Sequence, residues 1–331
     1  MKMNLSMMLF TSSLITGTLI TISSSSWLLM WIGLEMNLMS FIPLMNNNKT
    51  PYESEASMKY FMVQAMASMM LLMSLIMSEF INFDKQFIYL VFLTSMFIKM
   101  GAAPFHFWFP GVMQGLSWIN CMLIMTWQKI APMIMSSYIL TSGMMSNIIM
   151  LTSVIVGAIG GFNQTSIRKI MAYSSISHIG WMIMAMLMSL NYWLMYFLFY
   201  SLLSISVVLL MNNNSLFYLS QIFSLKMNNS LKFTLFLAIL SLGGLPPFLG
   251  FLPKWLIIQN CLLFESNLLI IVMIMMTMIT LYFYLRMTYS AFTMNNMSTI
   301  WMNQNNNKSI MFMSVLISMA GIPLIVVINL Y

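Results

Sequence analysis

Four ionisable side chains stand where a charge is hard to keep. Glu35, Lys99, Lys129 and Lys254 each lie inside or against a long apolar stretch of a 331-residue chain of which only 6% is charged. An ammonium at the centre of a bilayer costs roughly 2.5–3.5 kcal/mol on insertion scales, so it normally faces a bundle interior, a partner or water, and it marks a path for protons or ions. A buried carboxylate such as Glu35 needs a cationic neighbour, and Lys99 or Lys129 is the natural one. Unit charges 4 Å apart interact by about 4 kcal/mol at an effective dielectric of about 20. A small change in their separation therefore decides whether a lysine holds or releases its proton. His106 and His178 are further groups able to exchange protons near neutral pH.

Each of these residues also has a structural reading. Lys99 can snorkel, with its stem buried and its ammonium at the interface. Lys254, between Pro253 and Trp255, is equally placed to be an interfacial anchor. A histidine in a helix is as readily a hydrogen-bonded core residue as a relay member. Lys129 is harder to explain in this way, because apolar sequence flanks it on both sides. The 44 methionines are packing residues, and Lys49, Lys59, Lys226, Lys232 and Lys308 read as solvated loop anchors.

The elements that must position these groups are membrane spans. The chain is 60% hydrophobic, with a mean hydropathy of +0.89, and a span needs about 20 apolar residues. Apolar runs between polar breaks predict an all-α membrane protein of about eleven transmembrane helices, at 3–22, 26–45, 57–79, 86–104, 117–140, 143–163, 170–189, 191–211, 232–261, 267–290 and 309–330. The longest polar gaps are 46–55, 212–232 and 293–309, too short for a soluble domain, so 1–331 is expected to be a single polytopic membrane domain.

Two spans are expected to break. Gly101-Ala-Ala-Pro-Phe-His-Phe-Trp-Phe-Pro110 follows Lys99, and Leu242-Gly-Gly-Leu-Pro-Pro-Phe-Leu-Gly-Phe-Leu-Pro-Lys254 leads into Lys254. Each proline removes a backbone donor and clashes with the preceding turn. Freed backbone groups at membrane depth are tolerated where protein or a watery cavity satisfies them, as at transporter ion sites. Lys129 is expected on an unbroken span.

Charge asymmetry orients the spans. The face holding the amino terminus carries nine basic residues, Lys2, Lys49, Lys59, Arg168, Lys169, Lys226, Lys232, Arg286 and Lys308, with Glu53 and Glu55; the other carries Lys85 with Glu79, Asp84 and Glu265. By the positive-inside rule the amino terminus faces the cytoplasm-equivalent side and the carboxy terminus the other. The net charge of +7 is scattered over short loops, which argues against nucleic acid. Cys121 and Cys261 form no CxxC pattern, so neither a disulfide framework nor a metal or iron–sulfur site is indicated, and no GxGxxG or GxxxxGK[ST] marks a nucleotide site. No Arg-rich presequence precedes the first span.

Several motifs go further. Trp31-Ile-Gly-Leu-Glu-Met-Asn-Leu38, Lys99-Met-Gly-Ala-Ala-Pro-Phe-His-Phe-Trp-Phe-Pro110, Thr126-Trp-Gln-Lys-Ile-Ala-Pro132, the run from Gly157 to Trp181, and Leu242 to Trp255 resemble, in order, the subunit 2 family of mitochondrial NADH:ubiquinone oxidoreductase, respiratory complex I. The match runs from about Trp27 to Arg286; 1–20 and 290–331 match in hydropathy alone.

The resemblance implies an antiporter-like, proton-translocating membrane-arm subunit in the mitochondrial inner membrane, shortened at its amino terminus relative to fourteen-span bacterial relatives, with a core at about 20–290. It places the amino terminus in the matrix and the carboxy terminus toward the intermembrane space, in agreement with the charge count. Residue by residue, Glu35 is similar to the family's helix-borne glutamate, Lys99 to the lysine of the first broken helix, Lys129 to the central lysine and Lys254 to the lysine of the second broken helix. His106 and His178 occupy family motifs as further relay candidates.

The implied enzyme is a H+-translocating NADH:ubiquinone reductase in which NAD, FMN, iron–sulfur clusters and ubiquinone belong to other subunits. The implied partners are a neighbouring antiporter-like subunit, the small membrane subunit 4L, accessory subunits and lipids. The methionine excess and the presence of only Arg168 and Arg286 as arginines resemble an A+T-rich invertebrate mitochondrial genome. Two other functions share these features: a spacer that moves no protons, and a free-standing cation/proton antiporter.

Overall fold

A computed structural model of the chain describes residues 5–47, 50–80, 84–141, 143–224, 229–263, 267–293 and 308–321. Among these the regular structure is helical, with one isolated β-bridge between Ser166 and Tyr218. The expected all-α class follows from the environment, because within hydrocarbon a helix satisfies its own backbone donors and acceptors. Among the described residues seven helices are long and apolar enough to cross a membrane. The remaining four expected spans fall on shorter helices, and 322–330 of the last lies outside the described residues. So do Lys2, Lys49, Lys226 and Glu265 of the charge count, with the side chain of Lys308. The chain divides into two compact units, Met1–Ser146 and Asn147–Tyr331.

In the first unit, α1 (Leu5–Ser23) and α2 (Trp27–Met45) pack backbone to backbone at Gly17 and Gly33. A methyl group added to Gly33 would lie 2.8 Å from the Gly17 carbonyl oxygen. Between membrane helices packing replaces hydrophobic drive, and small residues allow this approach. α3 (Pro51–Phe80) has 30 residues, about 45 Å at 1.5 Å per residue. Glu53, read from sequence as a loop charge, is buried in its first turn, where an acidic group suits the helix dipole. α4 (Lys85–Met100), α5 (Trp108–Gly115), α6 (Trp118–Met125) and α7 (Trp127–Ile139) complete the unit. The Asn120 amide of α6 donates to the Leu44 and Met45 carbonyls, at 3.0 and 3.4 Å, and so caps the end of α2.

The second unit holds most of α8 (Met144–Phe162), then α9 (Ile167–Met188), α10 (Leu190–Asn213), α11 (Leu219–Ser224), α12 (Asn229–Gly243), α13 (Phe251–Leu263), α14 (Asn267–Thr293) and α15 (Lys308–Met319). α9 is its buried centre, mostly apolar or small along its length. Its serines do not need outside partners: Ser174, Ser175 and Ser177 donate to the carbonyls of Met171, Ala172 and Ser174 at 2.7–2.8 Å. Arg286 of α14 donates from Nη1 and Nη2 to the Phe162 and Gln164 carbonyls, at 2.9 and 2.8 Å, and so ties off the end of α8.

Candidate functional site

The first break is built from capped carbonyls. α4 stops because Gly101 takes the left-handed conformation, φ 72°, and returns its N–H to Ile98 at 3.2 Å; the Ala102 N–H goes to Phe97 at 3.0 Å. Glycine occupies that region without the clash a Cβ would bring. Two side chains complete the end: Trp108 Nε1 gives the Ile98 carbonyl a second hydrogen bond at 3.1 Å, and Gln64 Nε2 of α3 donates to the Lys99 carbonyl, which the ended helix leaves open, at 3.2 Å. The Ala103–Pro104 peptide is cis. His106 lies in the turn, its Nδ1 donating to the Pro104 carbonyl at 3.2 Å and its ring against Phe107.

Lys99 is only 7% exposed, which answers the snorkelling alternative within this chain. Its side chain lines a cavity of about 20 Å³ with Asn37 of α2, Tyr60 and Gln64 of α3, and Gln128 of α7. That volume suits about one water molecule, given polar partners. Gln128 Nε2 donates to Asn37 Oδ1 at 3.0 Å, and the Tyr60 hydroxyl reaches Gln128 Oε1 at 3.5 Å.

Glu35 is near enough for its charge to act on Lys99. The direct ion pair expected from sequence does not form. Lys59 and Glu55 pair on the surface, whereas Glu35 Oε1 is buried without a hydrogen bond. Lys99 instead shares its cavity with the amides of Asn37, Gln64 and Gln128, the Tyr60 phenol and the apolar Leu34, Leu38 and Pro132, so that polar neutral groups stand where the carboxylate was expected.

Lys129 is 2% exposed, among the most deeply buried large side chains of the protein. Its ammonium lies 5.6 Å from the centre of the Phe109 ring, a cation–π approach. The span carrying it is not continuous as expected. Thr126, at φ −113° and ψ −73°, separates α6 from α7, so that Lys129 stands in the first turn of α7. The Thr126 hydroxyl donates to the Met122 carbonyl at 2.7 Å, the back-bonding that bends helices. One turn on, Pro132 has no N–H to offer the Gln128 carbonyl.

The second break, in the other unit, repeats the glycine stop. Gly244 has φ 84°, and its N–H returns to Ser241 at 3.1 Å. Lys254, one turn into α13 and 7% exposed, reaches back and donates to the Gly243 carbonyl at 3.0 Å. The ammonium is thus held by protein at the end of α12, not by an interface. His178, in α9 of the same unit, has Nδ1 2.8 Å from the Tyr196 hydroxyl and its ring 4.9 Å from that of Tyr200.

Of the six residues singled out by sequence, then, Glu35, Lys99, His106 and Lys129 belong to the first unit, and His178 and Lys254 to the second. Sequence reading passed over Asn37, Tyr60, Gln64 and Gln128, and also Tyr196. Gln64 is a lone amide in an apolar run, Asn37 is two residues from Glu35 and Gln128 adjoins Lys129; those placements were the available signal. Among the described residues no three His, Cys, Asp or Glu side chains group as a metal site would require.

Residues 24–280 match the NADH:quinone oxidoreductase/Mrp antiporter transmembrane family. The chain is 51% identical over 329 residues to NADH-ubiquinone oxidoreductase chain 2 of Anopheles gambiae, with 96% of each covered. It is 51% identical over 333 residues to the protein of the same name in Aedes aegypti, with 97% of each covered. Its fold is similar to that of a chain in a structure of respiratory complex I from Thermus thermophilus with bound aureothin, at a TM-score of 0.82 and 21% identity over 95% of this chain and 76% of that one.

Proposed function

The chain belongs to the NADH:quinone oxidoreductase/Mrp antiporter transmembrane family, and from that membership we infer that it works as a core membrane-arm subunit of respiratory complex I. It takes part in moving protons across the mitochondrial inner membrane as electrons pass from NADH to ubiquinone, and so acts as a subunit of the H+-translocating reductase. The electron carriers belong to other subunits. Its neighbours are another antiporter-like subunit and the small membrane subunit 4L, with accessory subunits and lipids around them. The charge count favours an amino terminus in the matrix and a carboxy terminus toward the intermembrane space, and the translocating core spans about 20–290.

Within this subunit Glu35 modulates Lys99, Lys129 is the central proton carrier and Lys254 passes the proton on, with His106 and His178 as further stations. The observation that carries this reading is Lys99: buried at a helix break, lining a small polar cavity, and within electrostatic reach of a carboxylate that does not touch it. At an effective dielectric of about 20, closing a carboxylate–ammonium gap from about 7 to about 4 Å strengthens the attraction by about 2 kcal/mol. That is more than a tenfold change in proton occupancy, at about 1.4 kcal/mol per decade. Energy from quinone reduction, arriving as a shift of α2 or α4, would bias that gap.

Lys99→Met in the assembled complex tests the reading. Ubiquinone-linked turnover and protons moved per electron should fall, while NADH oxidation by an artificial electron acceptor stays normal. An unchanged proton-to-electron ratio at full turnover would make the subunit a spacer. Transport by the isolated chain, without NADH-oxidising subunits, would make it a free-standing antiporter.

A further inference from the structure

His178 is bonded to another side chain. Nδ1 meets a phenol, Tyr196, at 2.8 Å, and the pair lies in the buried interior of the second unit, with Tyr196 1% and His178 7% exposed. Two more phenols adjoin it. Tyr200, one turn along α10 and buried, packs its ring on the imidazole. Tyr284 of α14, also buried, is close enough to interact electrostatically with both Tyr196 and Tyr200. The other end of Tyr284 lies against the second helix break. A methyl group built on Gly243 would stand 3.3 Å from its Cδ2, and Gly243 is the residue whose carbonyl takes the Lys254 ammonium.

His178 thus has Tyr196 at its Nδ1 and Tyr200 on its ring, and Tyr284, within electrostatic reach of both phenols, lays the edge of its ring against the residue that takes the Lys254 ammonium. Burying one phenol is ordinary, since its ring is apolar and its hydroxyl needs a single partner. Grouping three around an imidazole is expensive unless the hydroxyls are used, because each is an amphoteric group that must be satisfied without water. The Tyr284 hydroxyl is buried with no hydrogen bond of good geometry, although Ser174 lies near it.

Building on the relay reading above, we propose that Tyr196 is the proton-exchange partner of His178, and that Tyr200 and Tyr284 continue a line of hydroxyls from it toward the second helix break. The step balances without any ionised phenol. A proton taken at Nε2 leaves the imidazole from Nδ1 to the Tyr196 oxygen as the hydroxyl proton of Tyr196 moves on to the next phenol, and the proton displaced from the last phenol, Tyr284, passes to the unprotonated amine of Lys254. Each O–H or N–H bond broken is thus matched by one formed, and rotation of the hydroxyls, with tautomer exchange in the imidazole, resets the line. Transfer in the opposite sense uses the same bonds.

Tyr196→Phe keeps the ring and removes the hydroxyl. In sealed inner-membrane vesicles holding the assembled complex, coupled turnover should fall roughly a hundredfold, the low end for loss of a positioned proton-transfer group. The remaining rate should show a larger solvent deuterium isotope effect, because the interrupted transfer now limits it. A residue that merely pins α9 to α10 would lower assembly or thermal stability without moving the isotope effect. Tyr284→Phe leaves the Tyr196–His178 bond intact and decides the matter where Tyr196→Phe impairs assembly. Normal pumping and a normal isotope effect in an assembled Tyr196→Phe complex, or in Tyr284→Phe when that variant decides, would overturn the proposal. If those variants pump normally while Lys129→Met does not, the phenol line fails and the lysine relay stands. If Lys129→Met and Lys254→Met also pump normally, the relay reading itself has failed.

Discussion

The Lys254 ammonium donates to the carbonyl of Gly243 across the second helix break, 3.0 Å away. At the first break the carbonyl of Lys99, the last residue but one of α4, takes its hydrogen bond from the Gln64 amide at 3.2 Å. One helix end is thus closed by an ionisable group and the other by a neutral one. A lysine that gives up a proton keeps an amine with two N–H donors, so Lys254 can change charge without abandoning the Gly243 carbonyl.

Lys254→Gln and Lys254→Met should therefore separate two jobs. Glutamine retains a donor for Gly243 but exchanges no proton, so assembly should hold while protons moved per electron fall. Methionine fills similar space and offers no donor; it should lower pumping and also destabilise the break by about 1–3 kcal/mol, the cost of orphaning a buried carbonyl. Measuring assembled complex and proton-to-electron ratio side by side checks both. Equal assembly in the two variants would remove the helix-closing job.

The two glycine stops make a second pair. Gly101→Ala and Gly244→Ala each force a Cβ into the left-handed region, at φ 72° and 84°, a cost of roughly 1–2 kcal/mol. At Gly244 the new methyl would also stand 3.1 Å from the Lys254 ammonium nitrogen, whereas at Gly101 its nearest neighbour is Phe109 Cβ at 3.2 Å. Both variants should lower the melting temperature of the assembled complex, and Gly244→Ala should additionally slow coupled turnover. Turnover per assembled complex equal in the two would show that Lys254 tolerates displacement.

Gln64 and Lys254 also show what could be read from the chain and what could not. Prolines and glycines act on their own backbone, so the breaks after Lys99 and before Lys254 were legible as Gly101 to Pro110 and Leu242 to Pro253. A charge in an apolar run is equally conspicuous, whatever surrounds it. The partners of these groups come from helices distant in sequence: Gln64 lies 35 residues from Lys99, and Gln128 lies 91 from Asn37. Nothing local marks such a pair. The interruption at Thr126 was missed for a different reason, since a threonine hydroxyl can bond to its own helix with or without bending it, and the outcome depends on packing. Tyr196 was hidden because a tyrosine in an apolar span looks like any aromatic core residue.

Gln128→Leu and Gln64→Leu probe the amide wall of the Lys99 cavity. Removing Gln64 orphans the Lys99 carbonyl, and removing Gln128 orphans the Asn37 side chain; each should cost about 1–3 kcal/mol of stability. Each also takes a polar group from a cavity of about 20 Å³, so coupled turnover should fall even in the complex that assembles. Thermal unfolding together with turnover per assembled complex tells these apart. If stability falls but turnover does not, the amides are structural and the cavity is not on the proton path.

Lys129 permits the sharpest test of proton exchange as against charge. Its side chain is 2% exposed, and its ammonium approaches the Phe109 ring at 5.6 Å. Lys129→Met keeps an unbranched stem of similar length and removes both charge and proton, so coupled turnover should fall about tenfold or more, a barrier change of at least about 1.4 kcal/mol. Lys129→Arg keeps the charge and the cation–π contact, yet guanidinium does not deprotonate in proteins. If Lys129 works by releasing its proton, arginine should be as poor as methionine, although the positive charge remains. If it works as a fixed charge that organises its surroundings, arginine should restore most of the turnover lost in Lys129→Met. Protons moved per electron in the two assembled variants separate these outcomes, and full activity in both would remove Lys129 from the relay.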